Sequence, residues 1–318
     1  MALTTPGSPV DITQVLPELG AYARTTVRLH PRPGTPGMHD SHIGGPLLWP
    51  ADEPWPACSR PFRVWFNSGR TTGLRFDDFE ERPPDTPVAM VAVAQFYARD
   101  LPEISFPQGK DLLQVLWCPN DHDQPDINGP AIELIWRRTA DITDPRHEPP
   151  PRPHTTASTK HLNVHERERA VEYYLPRPCV LHPERVTEYP YFEELPEQLQ
   201  TALNAWDEEA GHPYQHLLSI APGCKIGGWE SWHLTDMYPL PCDVCGTETQ
   251  PLLKLDSDEW DAGSGPRWRP LEERHLVWES IECQNTCDPT QLVLGRSGAL
   301  TVFLCPNSTD HGYRMTIQ

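Results

Sequence analysis

The chain has 318 residues, with 26 Lys and Arg against 45 Asp and Glu and a formal net charge of −19 at pH 7. That length favours two domains or two packed halves, and so acidic a surface repels phosphate backbones and anionic lipid, which sets nucleic-acid and membrane partners aside. Proline occurs 38 times, more than twice the roughly 5% average, so short strands joined by rigid turns are expected in place of long helices.

The first twenty residues carry no basic leader and no apolar h-region, and no stretch approaches the roughly 18 apolar residues of a membrane span; a cytoplasmic chain is expected. In a reducing compartment nine clustered cysteines point to metal ligands or buried thiols before a disulfide framework. Residues 11–25 place Ile12, Val15, Leu16 and Leu19 at helical spacing behind Asp11 as N-cap, and TTVRLHP after them reads as a strand. Residues 67–87, rich in Gly, Pro and acidic side chains, read as a surface insertion. VAMVAVAQF and LLQVLW supply core strands. Five prolines between 145 and 153 mark a linker, so the chain divides into 1–145, a linker at 146–160, and 161–318. The clearest helix is LPEQLQTALNAWDEEAG, with Pro196 in its first turn, Leu199, Ala202, Leu203 and Trp206 on one face, and Gly211 as its stop.

Across the linker the chain is self-similar. HIGGPLLWP answers KIGGWESWH, and LLQVLWCPN answers ALTVFLCPN. Ile43 precedes Cys118 by 75 positions and Ile226 precedes Cys305 by 79. Cys58 and Cys242 fall into register between these anchors. Each Gly-Gly permits a tight or positive-φ turn, and each core strand is expected to stop at Cys-Pro, because proline halts the ladder. The expected fold is α+β and predominantly β-sheet, built of two repeated halves with a few short helices.

Cys242 and Cys245 in PCDVCG have the Cys-x2-Cys-Gly spacing of a metal knuckle. With Cys305 and His311 from the downstream Cys-Pro-Asn corner they compose a closed tetrahedral zinc set of three thiolates and one imidazole; Cys283 and Cys287 are the alternative partners. A redox role would need a helix N-terminus beside the knuckle, and Pro241 and Gly246 do not provide one. In the first half Cys58, Cys118 and His122 are the counterparts, but nothing answers Cys245. The shortfall has two readings: a site decayed into core, or a metal with an open coordination position. Asp256, Asp258, Glu259 and Asp261 depart from an EF-hand pattern and read as a solvated acidic turn. His161 and His165, at i, i+4 beside the linker, read as an exposed pair. No nucleophile elbow and no Walker or dinucleotide glycine pattern is present. Trp229, Trp232 and Trp268 are candidates either for lining a cleft between the halves or for core packing.

The succession of IGG turn, LPRPCVLHPERVTEYP, CDVCG, LLKLDSDEWD and GRSGALTVFLCPN resembles the YwqG-like family, a domain of unknown function, in an actinobacterial-type branch. The resemblance covers most of the chain and implies a sheet-rich α+β fold with an internal repeat; it implies no reaction. The insertion at 67–87 departs from the family pattern. Together these features point to a zinc-stapled module that binds a protein or small-molecule ligand without catalysis. The other reading is a metal-dependent, hydrolase-like enzyme using the open site of the first half or the cleft between halves.

Overall fold

The computed structural model describes residues 2–65, 79–84, 86–123, 129–153, 172–210, 213–295 and 297–318. The chain is an α+β protein dominated by antiparallel sheet, with short helices. It forms two compact units that are discontinuous in sequence, one of residues 1–33, 181–289 and 294–318, the other of 34–180 and 290–293. These units do not coincide with the division at the linker. The strand Arg24–Arg28 pairs with Glu184–Glu188 on one side and Lys225–Gly227 on the other, which fixes the amino-terminal segment to residues beyond the linker. Of the linker itself, residues 146–153 are described, and Arg146 N–H donates to the Trp49 carbonyl at 2.7 Å; residues 154–160, and with them His161 and His165, lie outside the described residues. Most of the insertion does too, but its end, Phe79–Arg82, forms an antiparallel ribbon with Phe62–Trp65.

In the unit containing both termini, six strands lie in the order Glu184–Glu188, Arg24–Arg28, Lys225–Gly227, Gln250–Asp256, Ala299–Leu304, Tyr313–Ile317. Directly opposed residues share a face of an antiparallel sheet, so the register sorts side chains into rows. Val27, Ile226, Leu253, Val302 and Met315 form one apolar row, and the next row, on the opposite face, is Arg28, Lys225, Lys254, Thr301 and Thr316. Both rows are buried. The two lysines of the polar row are paired: Lys225 Nζ reaches both carboxylate oxygens of Glu188 at 2.7 and 2.9 Å, and Lys254 Nζ lies 3.2 Å from Asp256; Arg28 Nη1 donates to the Thr5 hydroxyl and the Trp268 carbonyl.

The predicted first helix is shorter than its spacing suggests. Asp11 caps it through Thr13 N–H, but only Ile12–Val15 is α-helical, and Pro17 opens a 3-10 turn over Pro17–Tyr22 instead. Proline cannot donate the next intrahelical bond. The helix Glu197–Ala210 forms where expected, after Pro196, and packs Leu199, Leu203 and Trp206 against Ile12, Leu19 and Tyr214. Leu19 and Leu203 are fully buried, each contributing roughly 1.5–3 kcal/mol of burial free energy. Gly211 lies outside the described residues.

In the other unit the sheet runs Gly129–Arg137, Leu112–His122, Val91–Tyr97, His42–Ile43, Cys179–Val180. Both sheets therefore present, side by side, an Ile-Gly-Gly strand, a central strand, a Cys-Pro-Asn strand and an edge strand. The residue before each Ile-Gly-Gly is buried, and each reaches the carbonyl four residues on: Lys225 Nζ donates to Trp229 O at 2.9 Å, and His42 Nε2 lies 3.0 Å from Pro46 O. Gly44 has φ +72°, and a Cβ there would stand 2.6 Å from the Pro176 and Arg177 carbonyls, so only glycine fits.

His42 carries a consequence for pH. Gly45 N–H donates to its Nδ1 at 3.1 Å, so the folded ring is neutral, and burial pulls its pKa down from 6.5 to about 4. Below about pH 6.5 the unfolded chain takes up a proton that the folded chain refuses until about pH 4. Stability contributed by this ring is complete above the unfolded value and is lost as pH falls through that window, by roughly 3 kcal/mol. Burial lowers His30 to about 4 as well, a contribution of the same sign. Denaturant titrations at pH 7 and pH 4.5 are expected to record the drop, and His42→Gln is expected to make it smaller.

Candidate metal centres

The knuckle is built by local backbone chemistry. Gly246 N–H donates to the Cys242 carbonyl at 2.8 Å and Cys242 N–H to the Thr247 carbonyl at 2.8 Å, closing residues 242–247 into a turn. Gly246 completes it with φ +69°, a conformation that costs glycine little. The strand Ala299–Leu304 delivers Cys305 at its end, where Pro306 stops the ladder as expected. Ser308 then caps the 3-10 turn Thr309–His311 through Asp310 N–H at 3.1 Å, and that turn presents the imidazole.

One donor atom from each of Cys242, Cys245, Cys305 and His311 lies within 4.8 Å of every other. Cys242 Sγ is 3.5 Å from His311 Nδ1, and Cys245 Sγ is 3.4 Å from Cys305 Sγ. Cys242 and Cys305 are buried while Cys245 is exposed. The Thr247 hydroxyl and backbone N–H and the Asn307 amide hydrogen-bond to the Cys245 sulfur and pull its pKa down from 9.0 to about 5, which readies a thiolate for a cation. All nine cysteines are free thiols. This arrangement can hold a metal ion.

The first-half residues also converge. Cys58, Cys118 and His122 are all buried and offer donor atoms within 4.8 Å of one another. Cys58 Sγ is 3.7 Å from His122 Nε2, and His122 Nδ1 lies 2.7 Å from the Pro61 carbonyl. Hydrogen bonding between the two sulfurs pulls the Cys58 thiol down and pushes that of Cys118 up. Here the expectation that the strand ends at Cys-Pro is overturned. Leu112–His122 continues through the corner because three residues, Cys118 to Asn120, stand opposite the single residue Ala131, and this bulge absorbs the proline that cannot donate.

Other predicted site residues lie elsewhere. Cys283 and Cys287 sit on the helix Ile281–Cys287, with Cys287 Sγ 2.9 Å from the Trp260 carbonyl, and they do not join the knuckle. The three tryptophans take part in packing: Trp229 stacks under Arg24 at 3.3 Å, Trp232 packs with Leu240 and Phe303, and the indole N–H of Trp268 donates to the His216 carbonyl. The large cavity, about 900 Å³, lies within the unit of 34–180 and is lined in part by Leu47, Trp49, Trp55 and Met90. The acidic turn is not wholly solvated either. Glu259 is buried, accepting the Cys224 N–H at 2.7 Å, and burial raises Asp258 to about 6.

The asparagines of the two corners escaped the sequence reading as site residues. Asn120 Nδ2 donates to Cys118 Sγ at 3.4 Å and Asn307 Nδ2 to Cys245 Sγ at 3.6 Å. Their signal was the recurrence of Cys-Pro-Asn itself.

Fold and sites thus define a β-rich α+β protein with two Cys/His donor clusters, and among its described residues no helix is long and apolar enough to cross a membrane. No protein-family model matches the chain, and no curated protein matches its sequence.

Proposed function

We propose that this chain is a YwqG-like, zinc-stabilised binding module of the cytoplasm that takes a protein or small-molecule ligand and catalyses no reaction. The observation that carries the reading is the closed set of Cys242, Cys245, Cys305 and His311. Zn–S bonds of about 2.3 Å and Zn–N bonds of about 2.0–2.1 Å imply tetrahedron edges of roughly 3.5–3.8 Å; the 3.5 Å sulfur–nitrogen separation matches its edge, and the 3.4 Å sulfur–sulfur separation is a few tenths of an ångström shorter. Three thiolates and an imidazole select a soft or borderline ion over magnesium or calcium. Four protein donors leave no vertex for water or substrate, which is the pattern of a structural ion. The matched order of Ile-Gly-Gly and Cys-Pro-Asn strands in the two sheets supports a duplicated origin. The cavity beside Trp49 and Trp55 has the size and apolar character of a small-molecule site.

Elemental analysis of purified protein tests the reading. Zinc is expected in the wild type, with one equivalent missing from Cys245→Ala. A wild type whose zinc content is unchanged by Cys245→Ala would remove the proposal, and turnover of an ester, amide or phosphoester panel would remove its non-catalytic part.

A further inference from the structure

We propose that Cys58, Cys118 and His122 bind a second zinc ion whose fourth position is held by water and open to a small exogenous donor. The imidazole is oriented for this. Its Nδ1 is 2.7 Å from the Pro61 carbonyl, so Nδ1–H donates there and the Nε2 lone pair is left facing Cys58 Sγ at 3.7 Å, near the roughly 3.5 Å edge of a Zn–S/Zn–N tetrahedron. A ligand histidine whose other nitrogen donates to a carbonyl is the usual supporting arrangement around zinc.

The sulfurs are prepared in the same way. Cys118 receives the Asn120 backbone N–H and side-chain amide, and Cys58 receives the Arg60 backbone N–H; N–H donors are strongest toward a thiolate. The bulge opposite Ala131 brings Cys118 and His122 to the same point although they lie four residues apart on one strand.

Charge favours the ion as well. The sulfurs pack with Val88 and Ala131, where two thiolates would be costly, but two thiolates, a neutral imidazole and Zn2+ sum to zero. Among the described residues no fourth His, Cys, Asp or Glu joins the three. The residue at the sequence position answering Cys245 is Pro61, whose carbonyl is already engaged by His122, so among the described residues nothing fills the vertex that a thiolate takes in the other centre, and that is the vertex assigned to water.

The test is zinc stoichiometry combined with cobalt spectroscopy on the full-length protein. Wild type is expected to hold two equivalents, Cys118→Ser and His122→Gln one each, with unchanged far-UV circular dichroism. In Co2+-substituted protein, imidazole is expected to shift the visible d–d bands of wild type and to leave those of His122→Gln unmoved. One equivalent that survives Cys118→Ser and is lost in Cys245→Ala overturns this inference and leaves the four-donor centre standing; one equivalent with the opposite pattern supports it and removes that centre. A Cys58–Cys118 disulfide in protein purified under reducing conditions overturns it. Should the variants misfold, the wild-type protein still decides, since two equivalents with an imidazole-sensitive cobalt spectrum support the site and a single imidazole-insensitive equivalent sinks it.

Discussion

Glu188→Ala is expected to destabilise the unit that contains both termini by about 3–5 kcal/mol, the cost of removing one partner of a buried ion pair. Glu188 and Lys225 are 0% and 1% exposed. Besides both bonds from Lys225 Nζ, the carboxylate accepts Ala221 N–H at 2.9 Å and Trp229 N–H at 3.0 Å. Truncation strands the ammonium and two backbone donors at once, in a place where burial already pushes the Lys225 pKa down and Glu188 holds it up. The carboxylate is closely packed in the folded unit: a Cβ on Gly228 would collide with it. Denaturant unfolding followed by tryptophan fluorescence reads the effect as a lowered midpoint with an unchanged slope. A loss below about 1 kcal/mol, the scale of an exposed pair, would show that the pair is solvated in solution.

Chelation of zinc from the four-donor centre is expected to have the larger effect, a fall in melting temperature of more than about 10 °C, because binding free energy of a structural ion is folding free energy and each kcal/mol shifts a unit of this size by roughly 2–4 °C. The centre ties together the knuckle turn, the end of Ala299–Leu304, and the turn leading into the edge strand Tyr313–Ile317. One further tie between knuckle and edge strand is Arg314, whose Nη1 donates to the Pro241 carbonyl at 2.9 Å and to Asp243 at 2.7 Å. The gap between the untreated and chelated melts narrows with acid, since protons compete with the ion for the thiolates and the imidazole and its contribution falls. Differential scanning calorimetry with and without a chelator, at pH 7.5 and pH 6, checks both statements. Readdition of zinc should restore the melt, and a metal-free protein melting at the untreated temperature would refute the expectation.

Sequence by itself determined the features written in short-range pattern. The knuckle was legible because Cys-x2-Cys-Gly closes on its own backbone, and the Glu197–Ala210 helix because its apolar face repeats at helical spacing. The donors Cys305 and His311, and the trio of Cys58, Cys118 and His122, were legible through the recurrence of Cys-Pro-Asn, each time with a histidine shortly behind it.

Tertiary structure decided what depends on partners distant in the chain. Arg24–Arg28 joins strands 156 to 201 positions away, and no local periodicity states where a strand will pair. Lys225, Gln95 and Gln114 are polar side chains, yet all three are buried; they bond to Glu188, to one another and to the Leu48 backbone, contacts that exist only after folding. The upstream corner shows the division most clearly. Cysteine, proline and asparagine recur there unchanged, but whether the ladder stops or bulges depends on Ala131 across the sheet, and the ring of His122 is aimed by a carbonyl 61 positions earlier in the chain. Residue types prescribe which atoms can serve as donors. Only the packed backbone sets how many of them meet at one point.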